Sequence, residues 1–158
     1  MGIEDKHKVD DKPTKEDNKI KFQEILKHKY ILLDILGAGT FGDVYKAEDL
    51  HHQRIVALKL TNFRNFSKHQ INILSSEPDL LTEMNCPHII KLYEVSETYG
   101  VFAQALEYCI GGDLHGYIKK NAISESDARN IMAQILKGVL YLHNDIKIIH
   151  RDLKPLNV

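Results

Sequence analysis

One stretch near the C-terminal end gathers the groups that could carry chemistry. His150-Arg151-Asp152-Leu153-Lys154-Pro155-Leu156-Asn157 places polar and ionisable side chains between apolar Ile148-Ile149 on one side and Leu156 and Val158 on the other. A carboxylate can orient a hydroxyl and accept its proton. A lysine can neutralise charge on a transferred phosphoryl group, and an asparagine oxygen can ligate Mg²⁺. A lone His-Arg-Asp would mean little, whereas the whole eight-residue string is specific. A second candidate is Gly37-Ala38-Gly39-Thr40-Phe41-Gly42-Asp43-Val44, a G-x-G-x-x-G-x-V pattern. Glycines let the backbone turn tightly and approach phosphate oxygens with its N–H groups. The same spacing serves either as a phosphate cradle or as a hairpin with glycines at its turn. A dinucleotide fingerprint also shares it, but that motif needs a helix after the glycines, and the residues after Gly42 are strand-like. Lys59 ends the apolar run Val56-Ala57-Leu58. It is either a solvated strand end or a fixed cation aimed at phosphates and held by a carboxylate. Glu77 is the natural carboxylate for that role, or else a helix cap beside Pro78.

The elements that would position these groups follow from the pattern. Tyr30 to Leu36, Val44 to Ala47 and Arg54 to Leu60 are short apolar runs separated by turn residues, which predicts three strands in an antiparallel meander. Ser67 to Met84 carries apolar points at Ile71, Leu74, Leu80, Leu81 and Met84 and predicts a helix, with Pro78 kinking it or moving its start. Ile89–Val95 and Val101–Glu107 predict two more strands, and Gly111-Gly112 breaks the chain. Ser124-Glu125-Ser126-Asp127 has a hydroxyl at the N-cap and a carboxylate at N3. The helix it opens carries Ile131, Ile135 and Val139 at i+4 spacing, flanked by Met132 and Leu136 and extended by Leu142. A mostly β half followed by a helical half suggests two lobes, with a ligand cleft between them.

Composition narrows the class. Hydrophobic residues make up 43% of the 158-residue chain and charged residues 27%, which excludes wholesale disorder. A net charge of −1 and a pI near 6.7 argue against a basic nucleic-acid-binding domain. No apolar run is long enough for a membrane helix, and the N-terminus lacks the apolar core of a secretory signal. Gly2 invites myristoylation, but Lys6 stands where that motif wants Ser or Thr. Cys86 and Cys109 are too few for a disulfide framework or a zinc cluster. A reducing, cytoplasmic location is expected, with the nucleus as the alternative. Residues 1–29 carry eight Lys and seven acidic residues and predict a charged, disordered tail, within which Ile20, Phe22, Ile25 and Leu26 form at most a short amphipathic turn docking on the domain.

The ordered set of glycine loop, Val-Ala-Leu-Lys, helix glutamate and His-Arg-Asp-Leu-Lys-Pro-x-Asn resembles the eukaryotic protein kinases from Tyr30 to Val158. Leu153-Lys154-Pro155 after the aspartate resembles the serine/threonine branch. The resemblance implies an α+β fold, with a small antiparallel β lobe bearing one helix (30–106), a hinge (107–112) and the first helices of a truncated helical lobe (113–158). It implies ATP and Mg²⁺ as cofactors and a protein Ser or Thr hydroxyl as acceptor. By the same resemblance, Gly37, Gly39 and Gly42 cover the phosphates, while Val44 and Ala57 sandwich the adenine. Lys59 binds phosphates and pairs with Glu77, a glutamate picked out by the spacing from Pro87. Leu106 is the gatekeeper. Glu107 and Cys109 offer the hinge carbonyl and amide, and Asp113 reaches the ribose. Asp152 is the catalytic base, Lys154 contacts the γ-phosphate and Asn157 ligates one metal ion. Leu81, Leu92 and His150 match positions of a stacked hydrophobic spine, so His150 is structural, and the nine histidines are not metal ligands.

The sequence departs from the family in three ways. It stops one residue after Asn157, before the family's Asp-Phe-Gly segment, activation loop and most of the helical lobe. That makes it the N-terminal portion of an enzyme or, alternatively, a truncated non-catalytic protein that binds nucleotide or a partner. Pro78 directly follows the glutamate expected to hold Lys59. Leu156 replaces an acidic residue common in kinases that prefer basic substrates, which implies weaker selection for arginine upstream of the phosphosite. The apolar stripe of the Ser124 helix is expected to lie exposed and to call for a partner covering that face.

Overall fold

The computed structural model describes residues 26, 28–39, 42–63, 66–67, 84–98 and 100–158. Five strands form one antiparallel sheet: β1 (Tyr30–Gly39), β2 (Gly42–Asp49), β3 (Arg54–Asn62), β4 (Leu92–Thr98) and β5 (Val101–Glu107), in the order β1-β2-β3-β5-β4. β3 and β5 are interior, and their sequences show it. Val56-Ala57-Leu58 and Phe102-Ala103-Gln104-Ala105 are buried at consecutive residues because both faces are covered there. One face holds a core of Leu26, Tyr30, Ala47, Val56, Leu58, Ala103 and Ala105, with Leu60, Tyr93 and Val101 packed against it. Leu26 is 6% exposed, so the packed unit reaches back into the segment expected as a charged tail, at the residue expected to dock.

A buried carboxylate fixes the corner where β2 turns into β3. Asp49 is fully buried. It accepts from the His51 and His52 amides at 3.2 Å each, from His52 Nδ1 at 2.8 Å and from Arg54 Nε at 3.2 Å. Arg54 in turn lies 3.7 Å from the centre of the Tyr93 ring on β4, which ties this corner across the sheet. Beside it Lys29 forms an ion pair with Glu94. Burial alone would raise the Asp49 pKa. The amide and ring of His52, together with Arg54, outweigh that and hold it below the ordinary aspartate value.

Two of the expected elements differ from what is observed. The fourth strand was expected over Ile89–Val95 and runs instead over Leu92–Thr98. The chain from Pro87 to Ile89 turns, with the Ile89 amide donating to the Cys86 carbonyl at 3.1 Å. The pairing runs from Leu92↔Leu106 to Thr98↔Val101, beside a turn in which Gly100 has φ +77°. An apolar run alone cannot show where such pairing begins. After Gly112 a helix, α1 (Leu114–Lys120), stands where the sequence suggested only a break. The helix expected over 67–84 lies outside the described residues, apart from its flanking Ser67 and Met84, which have irregular backbone.

The helix expected from Ser124 is α2 (Glu125–Tyr141). Ser124 Oγ accepts from the Asp127 amide at 3.1 Å and donates to Asp127 Oδ2 at 2.6 Å. A π-helical turn, Leu142–Ile146, continues it. Gly138 lets α2 approach the loop before β4, since a Cβ there would lie 2.9 Å from the His88 carbonyl oxygen. Ile131, Ile135 and Val139 are half-buried, while Met132, Leu136 and Leu140 are 53%, 52% and 55% exposed. The stripe itself is thus less open than expected, half-buried at Ile131, Ile135 and Val139 and buried at Leu142, while its flank is exposed.

Asp49→Ala leaves two amides and the Arg54 guanidinium without their acceptor, and denaturant unfolding at neutral pH should show a loss of about 1–3 kcal/mol. The pH dependence has a definite sign. The folded pKa lies below the unfolded one, so this stabilisation is complete above the unfolded aspartate value of about 4 and is lost as pH falls through the folded value. The gap between wild type and variant should therefore narrow on acidification.

Candidate active site

Pairing rather than proximity in sequence assembles the sheet's part of the site. Residues directly opposed in an antiparallel ladder leave the sheet on the same side. One row reads Gly37, Val44, Lys59, Gln104 and Val95 across all five strands. The next row reads Lys46, Ala57, Leu106 and Leu92. Val44, Ala57, Lys59 and Leu106 therefore share one face, opposite the Leu58 core. At the end of the β1–β2 hairpin Gly39 pairs with Gly42. Gly42 has φ +144°, and a Cβ there would fall 1.9 Å from the Leu60 carbonyl oxygen, so only glycine fits. Gly37 has open space around it. Thr40 and Phe41 lie outside the described residues, as do Glu77, Pro78 and Leu81.

The chain leaves β5 at Glu107, where the sequence reading expects a hinge. The Glu107 amide donates to the Lys91 carbonyl at 2.8 Å, and its Oε2 accepts from the Lys91 amide at 3.2 Å. Cys109 is exposed, and its carbonyl accepts from the Gly112 amide at 3.1 Å. Partial burial, then the Glu107 charge, pushes the Cys109 thiol above its ordinary pKa, so it is a neutral thiol at pH 7 rather than a nucleophile. Asp113 caps α1, with Oδ1 accepting from the Gly116 amide at 2.7 Å. The adjacent Leu114 amide donates to the Val158 carbonyl at 2.7 Å, which ties the start of α1 to the end of the catalytic segment. The ribose-contact residue of the sequence reading is thereby fixed beside Asn157.

The segment 150–157, expected to be catalytic, is built on a left-handed turn. Arg151 has φ +63°, a sparsely populated conformation for a non-glycine residue, and it folds Asp152 back so that its amide donates to the His150 carbonyl at 2.9 Å. Asn157 Nδ2 donates to the Asp152 carbonyl at 2.7 Å and to Asp152 Oδ2 at 2.9 Å. Lys154 Nζ lies 2.8 Å from the same Oδ2. Asp152, Lys154 and Asn157, three residues singled out in the sequence, thus converge on one solvent-facing carboxylate. Hydrogen bonds from Lys154 and then Asn157, with the Lys154 and His150 charges, hold Asp152 below the ordinary aspartate range. It is an anion at neutral pH.

A groove of 990 Å³ brings the hinge and the catalytic segment together, with Glu107, Cys109, Asp113, His150, Leu156 and Asn157 along its walls. The glycine hairpin and Lys59 do not line it. The described residues contain no group of three or more His, Cys, Asp or Glu able to hold a metal. A hard cation here would draw on Asn157 and Asp152 oxygens and on ligand phosphates. Asn157 fits, since its amide nitrogen is committed to Asp152 and its oxygen is the remaining donor. Gln104 also stands in the Lys59 row, a place no motif announces because an isolated glutamine in a strand has none.

A sheet with this glycine hairpin and β3 lysine, followed by a hinge and a clamped Asp-x-Lys-x-x-Asn loop, defines a protein kinase domain. The family model described as protein kinase domain matches residues 18–158. The chain is 40% identical over 157 residues to serine/threonine-protein kinase tousled-like 1 of Homo sapiens, covering 90% of this chain and 20% of the relative. It is 42% identical over 157 residues to tousled-like 2 of Mus musculus, covering 90% and 21%. It is 41% identical over 144 residues to carbon catabolite-derepressing protein kinase of Secale cereale, covering 85% and 28%. The chain belongs to the protein kinase domain family, and it spans about a fifth of the length of the tousled-like relatives. No described helix is long and apolar enough to cross a membrane.

Two outcomes follow from this geometry. Gly42→Ala should cost about 1–3 kcal/mol in denaturant unfolding, from the clash with Leu60 and the φ it must hold, whereas Gly37→Ala should be tolerated. Lys154→Ala removes the first contributor to the Asp152 shift. The Asp152 carboxyl, followed by ¹³C NMR titration, should then protonate at higher pH than in wild type, closer to the ordinary value of about 4.

Proposed function

We propose that this chain carries the nucleotide-binding lobe and catalytic loop of an enzyme that transfers the ATP γ-phosphoryl group to Ser or Thr hydroxyls of proteins. The clamp of Asp152 by Asn157 and Lys154 carries the reading. Asp152 is ionised and exposed, so it accepts a hydrogen bond from an incoming hydroxyl, aligns the oxygen with the phosphorus and takes its proton as the bond forms. Its pKa is low for a strong base, so orientation is the larger part of its work, as expected where transfer is mostly positioning and charge stabilisation. Lys154 stands beside it to offset charge on the γ-phosphoryl oxygens, and the hairpin of Gly37, Gly39 and Gly42 covers the phosphates. Lys59 does the same for the α- and β-phosphates from the sheet, with Glu77 as its carboxylate partner. Val44 and Ala57 pack on the adenine, Leu106 borders it, and Glu107 and Cys109 offer it the hinge backbone. Asp113 uses the oxygen not committed to capping α1 to meet the ribose. Mg²⁺ bound to the nucleotide would neutralise phosphate charge, with the Asn157 side-chain oxygen as one ligand. Residues 30–106 form the nucleotide lobe, 107–112 the hinge and 113–158 the start of the helical lobe. Partners are ATP, protein substrates and whatever segment covers the α2 face.

The test is phosphate transfer from labelled ATP by the full-length protein. Asp152→Asn should lower kcat by about 10²–10⁴-fold, the usual worth of a positioned base, with little change in KM for ATP. Equal activity in wild type and variant would refute the role of Asp152.

A further inference from the structure

One side chain in the connection after β5 turns back onto the sheet. Tyr108 is half-buried, while Glu107, Cys109 and Ile110 around it are exposed. Lys46 of β2 meets it, with Nζ 5.4 Å from the centre of the Tyr108 ring. An ammonium at that distance over an aromatic face is attracted by the negative charge of the π cloud. Among the described residues no carboxylate lies within ion-pair distance of Lys46, so its charge has the ring as partner there. Lys46 stands in the row of Ala57 and Leu106. The contact therefore runs from β2, past β3 and β5, to the chain two residues beyond Leu106. It supplies what the other bonds of this connection do not. Glu107 is bound to Lys91 through both its amide and its carboxylate, on the β4 side. The Cys109 carbonyl accepts from Gly112, further along the connection itself. Tyr108 lies between the two, so holding its ring holds the peptide groups on either side of it.

We propose that Lys46 and Tyr108 are a positioning pair for adenine, the ammonium holding the ring against the sheet and thereby setting the Glu107 carbonyl and the Cys109 amide where an adenine edge meets them. The inference rests on the reading of Glu107 and Cys109 as the backbone that binds adenine. Hydrogen bonds weaken steeply when donor and acceptor are misaligned. A slack connection thus costs nucleotide binding, while transfer from nucleotide already bound goes on as before.

The experiment is steady-state kinetics of the full-length protein with ATP and with purine riboside triphosphate, which lacks the amino group that donates to the Glu107 carbonyl. Lys46→Met removes the charge and Tyr108→Leu removes the ring. Each should raise KM for ATP about three- to fivefold, the worth of a cation over a ring at a partly exposed site, with kcat unchanged. The double variant should lose no more than either single one, because both remove the same interaction. Lys46→Arg keeps a cation and Tyr108→Phe keeps a ring, and both should stay near wild type. Wild type should prefer ATP to the analogue, and Lys46→Met and Tyr108→Leu should narrow that preference. An unchanged KM for ATP in both of these variants would overturn the proposal, as would losses that multiply in the double variant or an equal rise in KM for the two nucleotides. If wild type uses both nucleotides with the same KM, the adenine-binding role of Glu107 falls, and the proposal with it. If wild type prefers ATP while the Lys46 and Tyr108 variants behave as wild type, only the positioning role of the pair falls.

Discussion

Strand register in the β2–β3–β5 ladder is the constraint on which the site depends. Lys59 pairs with Val44 on one side and Gln104 on the other, and Ala57 pairs with Lys46 and Leu106. These pairings put Lys59, Val44, Ala57 and Leu106 on a single face. A slip of one residue would send Lys59 into the Leu58 core and expose Leu58 in its place. The register is held by the outer face, where Leu26, Tyr30, Val56 and Leu58 bury together, and by the Asp49 corner that fixes where β2 becomes β3. Gly42 completes the constraint, because β1 and β2 can close against the Leu60 backbone only where there is no side chain.

The helical part works by local geometry instead. The strained Arg151, the double hydrogen bond from Asn157 and the Lys154 ammonium shape one eight-residue loop around the Asp152 carboxylate. That loop is joined to the hinge side by the bond between the Leu114 amide and the Val158 carbonyl. The two halves thus fail differently under mutation. A change in the sheet displaces Lys59 through the ladder, while a change in the loop alters the ionisation and aim of Asp152. The Cys109 thiol and the Asp113 capping bond belong to the short connection between them.

The chemistry was more legible in the sequence than the elements that hold it. Asp152, Lys154 and Asn157 lie within six residues, so their convergence is a property of one loop, and the string alone announces it. Val44, Ala57 and Lys59 were named from the family resemblance, and their shared face came only with the strand pairing. β4 was misplaced because Ile89 and Ile90 are as apolar as a strand, while the bond between Ile89 and Cys86 that turns the chain leaves no mark in composition. α1 was missed because it is seven residues long, contains Gly116 and follows a Gly-Gly break. Its one signal was Asp113 as an N-cap. The Asp49 corner was missed although its partners His51, His52 and Arg54 lie within five residues, because the burial that makes its carboxylate matter leaves no mark in the sequence.

The central claim is that Lys59, placed by the sheet, and Lys154, placed by the catalytic loop, face the phosphates of one bound nucleotide. An acyl phosphate of ATP reports this directly, since a lysine amine near the terminal phosphates attacks the acyl carbon and releases the nucleotide phosphate. The account predicts acylation of both Lys59 and Lys154 in the full-length protein, suppressed by excess ATP, with Lys46 and the other lysines left at background. Acylation of neither residue, or labelling spread over the surface lysines and indifferent to ATP, would contradict it.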